Sequence, residues 1–188
     1  KPDAVHLKYE ENYRITEEAL EAAASDKTKL LIINYPNNPT GQILTESDIQ
    51  SLTAFLRNHP DVYVLSDEIY EKIVYDQNKI VSLASIPEFF ERVAIVNGFS
   101  KCSAMTGWRL GYACAPEVIL KQMLKIHQYA IMCAPTTSQY AAVEALRNGD
   151  EDVQHMRESY DQRRRFLINA FEEMHLDCFE PQGAFYMF

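Results

Sequence analysis

Short apolar runs alternate with helical stripes along this chain. Leu30-Leu31-Ile32-Ile33, Val62-Tyr63-Val64-Leu65 and the run from Val93 to Val96 are rich in branched and aromatic side chains and bounded by polar or turn residues. That pattern predicts strands. Ahead of them, Val5-His6-Leu7-Lys8-Tyr9 alternates as a half-buried strand does, and Thr16 opens a short predicted helix through Ala24. After the first apolar run, Tyr35-Pro36-Asn37-Asn38-Pro39-Thr40-Gly41 holds too much proline and glycine for helix or central strand, so it reads as a shaped loop at a strand's end. Thr45 with Asp48 three positions on has the form of a capping box, and Ile49, Leu52, Phe55 and Leu56 share one helical face as far as Asn58-His59-Pro60.

The segment from Glu71 to Arg92 is looser. Beyond Val96, Arg109 to Ala115 reads as another strand, Pro116-Glu117 starts a helix to about Ala130, and Pro135 starts one that Asn148-Gly149 stops. A long charged helix from about Glu151 to Met174, polar on much of its circumference as domain-bridging helices often are, leads to a closing strand at Phe179 to Phe188. Strands alternating with helices predict an α/β fold, a mostly parallel sheet flanked by helices, with all the strands' C-terminal ends on one edge. Asn38, Asp67 and Lys101 fall at three of those ends, and ligands of open α/β sheets bind along such an edge.

The chemistry lies in Asn97-Gly98-Phe99-Ser100-Lys101-Cys102-Ser103-Ala104-Met105-Thr106-Gly107-Trp108-Arg109-Leu110-Gly111-Tyr112. A lysine held partly neutral by desolvation or a nearby cation can form a Schiff base with an aldehyde. Arg109, eight positions on, can supply that field and grip a phosphate with its planar fork. Gly107 and Gly111 are expected to let backbone approach closely.

Charge narrows the choice. Over 188 residues, 47% of them hydrophobic, 18 basic and 27 acidic side chains give a net charge of -9, which argues against a nucleic-acid or anionic-membrane surface. Arg163-Arg164-Arg165, a basic run, reads as the solvated face of a helix. No apolar run approaches the roughly 20 residues of a membrane span. The cysteines at 102, 114, 133 and 178 are too scattered for a disulfide framework or a metal site, and are expected to be reduced, mostly buried thiols of a cytoplasmic protein, Cys102 serving as a small packing residue. A start at Lys1-Pro2 and an end inside Gly183-Ala184-Phe185-Tyr186-Met187-Phe188 predict the middle of a longer protein.

Asn37-Asn38-Pro39-Thr40-Gly41, Ser66-Asp67-Glu68-Ile69-Tyr70 and Ser100-Lys101 through Arg109-Leu110-Gly111-Tyr112, in that order, resemble the class I/II aminotransferases of pyridoxal-phosphate fold type I, within them the aspartate aminotransferase-like branch. The resemblance runs from about Val5 to the end. It implies a partial cofactor-binding large domain over 1–173 and the beginning of a C-terminal small domain over 174–188. The implied activity moves an amino group from an L-amino acid, aspartate being one candidate, to a 2-oxo acid such as 2-oxoglutarate by a ping-pong cycle, in a homodimer.

By the same resemblance Lys101 holds pyridoxal 5′-phosphate as a Schiff base and acts as general acid and base. Asp67 pairs with the pyridine nitrogen, or, read from the residues alone, caps a helix after its strand. Asn38 and Tyr70 bond the ring's 3′ oxygen, Arg109 clamps the phosphate with Ser100 as a further donor, and Glu68 is structural. Gly98 departs from the pattern, since many relatives carry a phosphate-binding hydroxyl there. The family's glycine-containing phosphate loop and ring-stacking aromatic are expected before Lys1, and its substrate-carboxylate arginine after Phe188. The same motifs also suit a C-S lyase or synthase on this fold, distinguished by releasing ammonia and an oxo acid without an amino acceptor, or a non-catalytic effector domain of a transcription regulator.

Overall fold

The computed structural model describes residues 2–188. The three apolar runs form β1 (Leu30–Asn34), β2 (Tyr63–Asp67) and β3 (Val93–Gly98), and β4 (Gly111–Cys114) completes a sheet in the order β1-β2-β3-β4. β1, β2 and β3 are parallel. β4 runs antiparallel to β3, because the Phe99–Leu110 connection holds only a 3₁₀ turn and no crossover helix. Asn34 is level with Asp67, and Asp67 with Val96, so the strands' C-terminal ends meet at one height.

Helices α1 (Glu17–Ala23) and α2 (Glu46–Asn58) pack together on this sheet. Thr16 accepts from the Ala19 N–H to start α1, and Thr45 and Asp48 form the expected capping box on α2. Asp48 does more than cap: its fully buried carboxylate also accepts from the Ile15 N–H at 2.8 Å and the Arg14 guanidinium at 2.6 Å, fastening the residues before α1 to α2. Leu52, Phe55 and Leu56 meet Val62, Val64, Leu83, Phe89 and Val93 in the main core, each such side chain contributing roughly 1.5–3 kcal/mol on burial. At the end of α2, the Arg92 guanidinium donates to the carbonyls of Leu56, His59 and Val62, satisfying groups the helix leaves open. Helices α3 (Glu117–Ala130), α4 (Thr136–Asn148) and α5 (Asp150–Glu173) complete the chain's helical part, and α4 brings Ala142 against Phe99 and Met105 of the lysine loop.

Five expectations need correction. Val5 to Tyr9 is not a strand: Val5 and Leu7 do pack on the core, but no partner strand lies beside them among the described residues, and a 3₁₀ turn begins at Tyr9. Phe179 to Phe188 is not a strand either, since Pro181 and a left-handed Ala184 (φ 57°) bend it, and a single bridge from Gly183 to Val74 replaces a ladder. None of the four cysteines is buried; Cys114 and Cys133 are exposed. Gly107 meets nothing where a side chain would stand, whereas Gly98 and Gly111 oppose each other so closely that an added Cβ on Gly98 would lie 2.9 Å from the Gly111 Cα.

The last correction concerns the basic run. Arg164 turns inward, 6% exposed, while Arg163 and Arg165 stay on the surface. It donates to Asp76 at 2.6 Å, Asp161 at 2.8 Å and the Pro181 carbonyl at 3.0 Å, and lies over the Tyr75 ring. One side chain thereby joins α5 to the segments on either side of it.

Candidate active site

Asp67 ends β2. Its Oδ1 accepts from the Ile69 N–H at 3.2 Å, so the cap-like bond foreseen for it exists, over a turn rather than a helix. The Asn34 amide donates to the Asp67 carbonyl at 3.2 Å and its oxygen accepts from the Asn38 N–H at 3.0 Å, which fixes Asn38 relative to Asp67. Within the same loop it is Asn37, through Thr40, that braces the turn, and both Tyr35-Pro36 and Asn38-Pro39 are cis. The Asn38 side chain is exposed and makes no hydrogen bond among the described residues.

The lysine loop leaves β3 around the Phe99 carbonyl, which accepts from the Ser103 and Met105 N–H groups, while Phe99 and Met105 point into the core against α4. Lys101 is half-buried. Its Nζ lies 5.7 Å from the Tyr70 ring centroid and 5.5 Å from that of Phe185, within the range where an aromatic face attracts a cation. Arg109, left-handed at φ 53°, donates to the Thr106 carbonyl at 2.7 Å, and the Thr106 hydroxyl donates to the Ser100 carbonyl at 2.7 Å. That chain ties the exposed guanidinium to the residue preceding Lys101.

The five expected residues thus form two linked sets: Asn38 with Asp67, and Lys101 with Arg109. Tyr70 stands at the junction. Three residues beyond β2, it is buried beneath Lys101, its hydroxyl 2.6 Å from that of Tyr186, and burial first, then Tyr186 and the Asp67 charge, push its phenol up. No hydrogen bond joins the two sets among the described residues, so each keeps unused capacity. Glu68 faces away from this edge, buried, with the Ser66 and Ser82 hydroxyls donating to it at 2.9 and 2.7 Å; burial pushes its carboxyl up.

Phe185 and Tyr186 were not foreseen as part of the site. Gly183-Ala184-Phe185-Tyr186 reads as strand because its residues are apolar and β-prone, and nothing local says it folds back on Val74, more than a hundred positions earlier. The available signal was the glycine and proline spacing of Pro181 to Gly183, which favours a bend over an extended run.

The fold and this edge match a known class. The family described as aminotransferase class I and II matches residues 1–188. A putative aminotransferase of Bacillus subtilis is 45% identical over 187 residues, covering 100% of this chain and 48% of that protein. An aspartate aminotransferase of Pyrococcus abyssi is 45% identical, over 96% of this chain and 47% of its own length. Among solved structures, an aromatic aminotransferase from Pyrococcus horikoshii superposes with a TM-score of 0.93 at 43% identity, over 97% of this chain and 49% of that one. The chain belongs to the class I and II aminotransferase family, with the fold type I architecture, and spans about half the length of the curated relatives it matches.

The cofactor of that family is pyridoxal 5′-phosphate. The donor set fits it. An ammonium, a carboxylate, a guanidinium and an amide with unused hydrogen-bonding capacity stand along one edge, together with a phenol, and these are the groups that an aldehyde, a pyridine nitrogen, a phosphate and a phenolic oxygen would require.

Proposed function

We propose that this chain is the cofactor-binding part of an aminotransferase that transfers an amino group from an L-amino acid, aspartate among the candidates, to a 2-oxo acid. The observation that carries the reading is the placement of Lys101 over the touching Tyr70 and Phe185 rings at the edge where β2 delivers Asp67. Names of relatives that specify aspartate and aromatic amino acids support the substrate class.

Bound there, pyridoxal 5′-phosphate would supply an aldehyde carbon and a ring that accepts electron density. Lys101 would hold that aldehyde through Nζ, and its amine, when free, would move the proton at the substrate α-carbon. Asp67 would offer its carboxylate to the pyridine nitrogen and favour its protonated form. The Asn38 amide and Tyr70 hydroxyl would donate to the ring oxygen, and the Arg109 fork would hold the phosphate, with Ser100 beside it.

In the same reading residues 1–173 belong to the large domain and 174–188 begin a small one, the whole protein being a cytoplasmic homodimer. No helix in the described residues is long and apolar enough to cross a membrane. The test is an absorbance spectrum with added pyridoxal phosphate, followed by borohydride reduction and peptide mapping. A visible band and a label confined to Lys101 are expected, both lost in Lys101→Ala; a label spread over many lysines would sink the assignment. Consumption of an amino donor only in the presence of an oxo acid separates transfer from elimination.

A further inference from the structure

Tyr186 meets the site with its hydroxyl 2.6 Å from that of Tyr70 and its ring packed edge-on against the Tyr70 ring at 5.8 Å, and the structure explains why it is there. The stretch carrying it is fastened to the residues just after Tyr70. The Ala184 N–H donates to the Ile73 carbonyl at 2.9 Å, the Tyr75 N–H donates to the Gln182 carbonyl at 3.0 Å, Gly183 bridges Val74, and the Tyr75 hydroxyl donates to the Ala184 carbonyl. Gly183 fits so tightly that a Cβ there would stand 2.7 Å from the Pro36 side chain. Phe185 meets the Tyr70 ring edge-on at 5.3 Å and lies against Tyr160 on its other side. Tyr70 and Tyr186 therefore sit on one braced frame.

A phenol has a single proton to give and lone pairs to accept with. In this pair one oxygen must donate to the other. Tyr70 is 3% exposed, so its oxygen has little access to a water donor, whereas Tyr186 is half-buried and its oxygen can accept from solvent. Without a ligand the Tyr70 proton can rest on the Tyr186 oxygen, but once that proton is given to an acceptor in the site, the 2.6 Å contact persists only with Tyr186 donating and Tyr70 accepting.

We propose that Tyr186 is a positioning residue: by donating to the Tyr70 oxygen it turns the Tyr70 proton toward the ligand side of the site and strengthens it as a donor. This rests on the proposed function, in which that proton meets the ring oxygen of pyridoxal phosphate. Donors polarise one another along a chain, so removing the outer donor weakens the inner one.

Two readouts test it. In the chain without cofactor, labelled with tyrosine carrying ¹³C at the hydroxyl-bearing ring carbon, the Tyr70 resonance is assigned by its loss in Tyr70→Phe. It is expected to move in Tyr186→Phe, which keeps the ring packing and removes only the hydroxyl. With pyridoxal phosphate bound, the pH midpoint of the visible band should rise by roughly half to one unit in Tyr186→Phe, since a weaker donor stabilises the ring oxygen's negative charge less. Tyr70→Phe should raise it further, and the double variant should match Tyr70→Phe alone, because Tyr186 acts only through Tyr70. A Tyr186→Phe chain with wild-type resonance and midpoint, or a double variant whose shift is the sum of the two, overturns the proposal while the label on Lys101 stands. A wild-type chain that shows no band overturns the proposed function and this assignment with it.

Discussion

Arg164→Ala removes a buried charge that holds several partners at once. The guanidinium is 5% exposed and makes short charge-assisted bonds to Asp76 (2.6 Å) and Asp161 (2.8 Å), with Glu180 at 3.4 Å. Breaking a buried pair costs about 3–5 kcal/mol when it strands a buried charge, but here Asp76 and Glu180 are 41% and 70% exposed and re-solvate readily. What remains is the fork's bonds to Asp161 and the Pro181 carbonyl and its stacking on Tyr75, which together set the loss at about 3 kcal/mol. With a urea slope of about 2 kcal/mol/M for a domain of this size, the unfolding midpoint falls by about 1.5 M. Arg164→Lys keeps the charge without the fork and should lose about half as much. Its neighbour Arg165, 62% exposed, bonds the same Asp76 and Asp161 from the surface, so Arg165→Ala is expected to change the midpoint little. Equal losses from Arg164→Ala and Arg165→Ala would refute the reasoning, because what separates them is burial and the Pro181 and Tyr75 contacts that come with it.

Burial raises the Glu68 carboxyl above its usual range. The folded state then holds a proton that the unfolded chain has released, so stability falls as pH rises from the ordinary carboxylate value of about 4.5 through the raised one. Glu68→Gln removes that slope: its stability relative to the native chain, followed by denaturation from acid to neutral pH, should increase with pH, and parallel curves would contradict the burial argument. Gly41→Ala forces a side chain into φ +73° with its Cβ 2.3 Å from that of Pro181, and should lower stability by about 3 kcal/mol. Gly107→Ala meets only open space, so a thermal midpoint within a few degrees of the native one is expected, and a large drop would show that the loop needs glycine for a reason other than room.

The parts of the fold that sequence revealed are those governed by neighbours along the chain. α2 was legible from Thr45, Asp48 and the Leu52-Phe55-Leu56 stripe, since capping and helical periodicity are local, and β1 to β3 from their β-prone apolar runs, although β1, at the sheet's edge, leaves Leu30 and Ile32 exposed. Asn38, Asp67 and Lys101 became candidates once a parallel sheet was inferred, because parallel strands place their ends on one edge. The misreadings share a cause. Arg164 and Arg165 are indistinguishable in sequence, and only the arrival of Asp76 and Pro181 from elsewhere makes one of them interior. Phe185 and Tyr186 likewise acquire their place from a single bridge to Val74 that leaves no periodic trace.

That bridge has a consequence for the order in which the site comes into being. Lys101, Tyr70 and Asp67 belong to strands and turns that can assemble from the residues up to Cys114. Their aromatic wall belongs to a stretch 109 to 116 positions removed from its partners, so it closes only after three intervening helices have found their places. Long loops close slowly and hold weakly until other contacts support them. On the ribosome the lysine would therefore exist for some time in an open, water-filled cleft before Phe185 and Tyr186 enclose it. A nascent chain arrested within α5 would present Lys101 without the rings beside it, and completion of this edge waits on the stretch around Gly183.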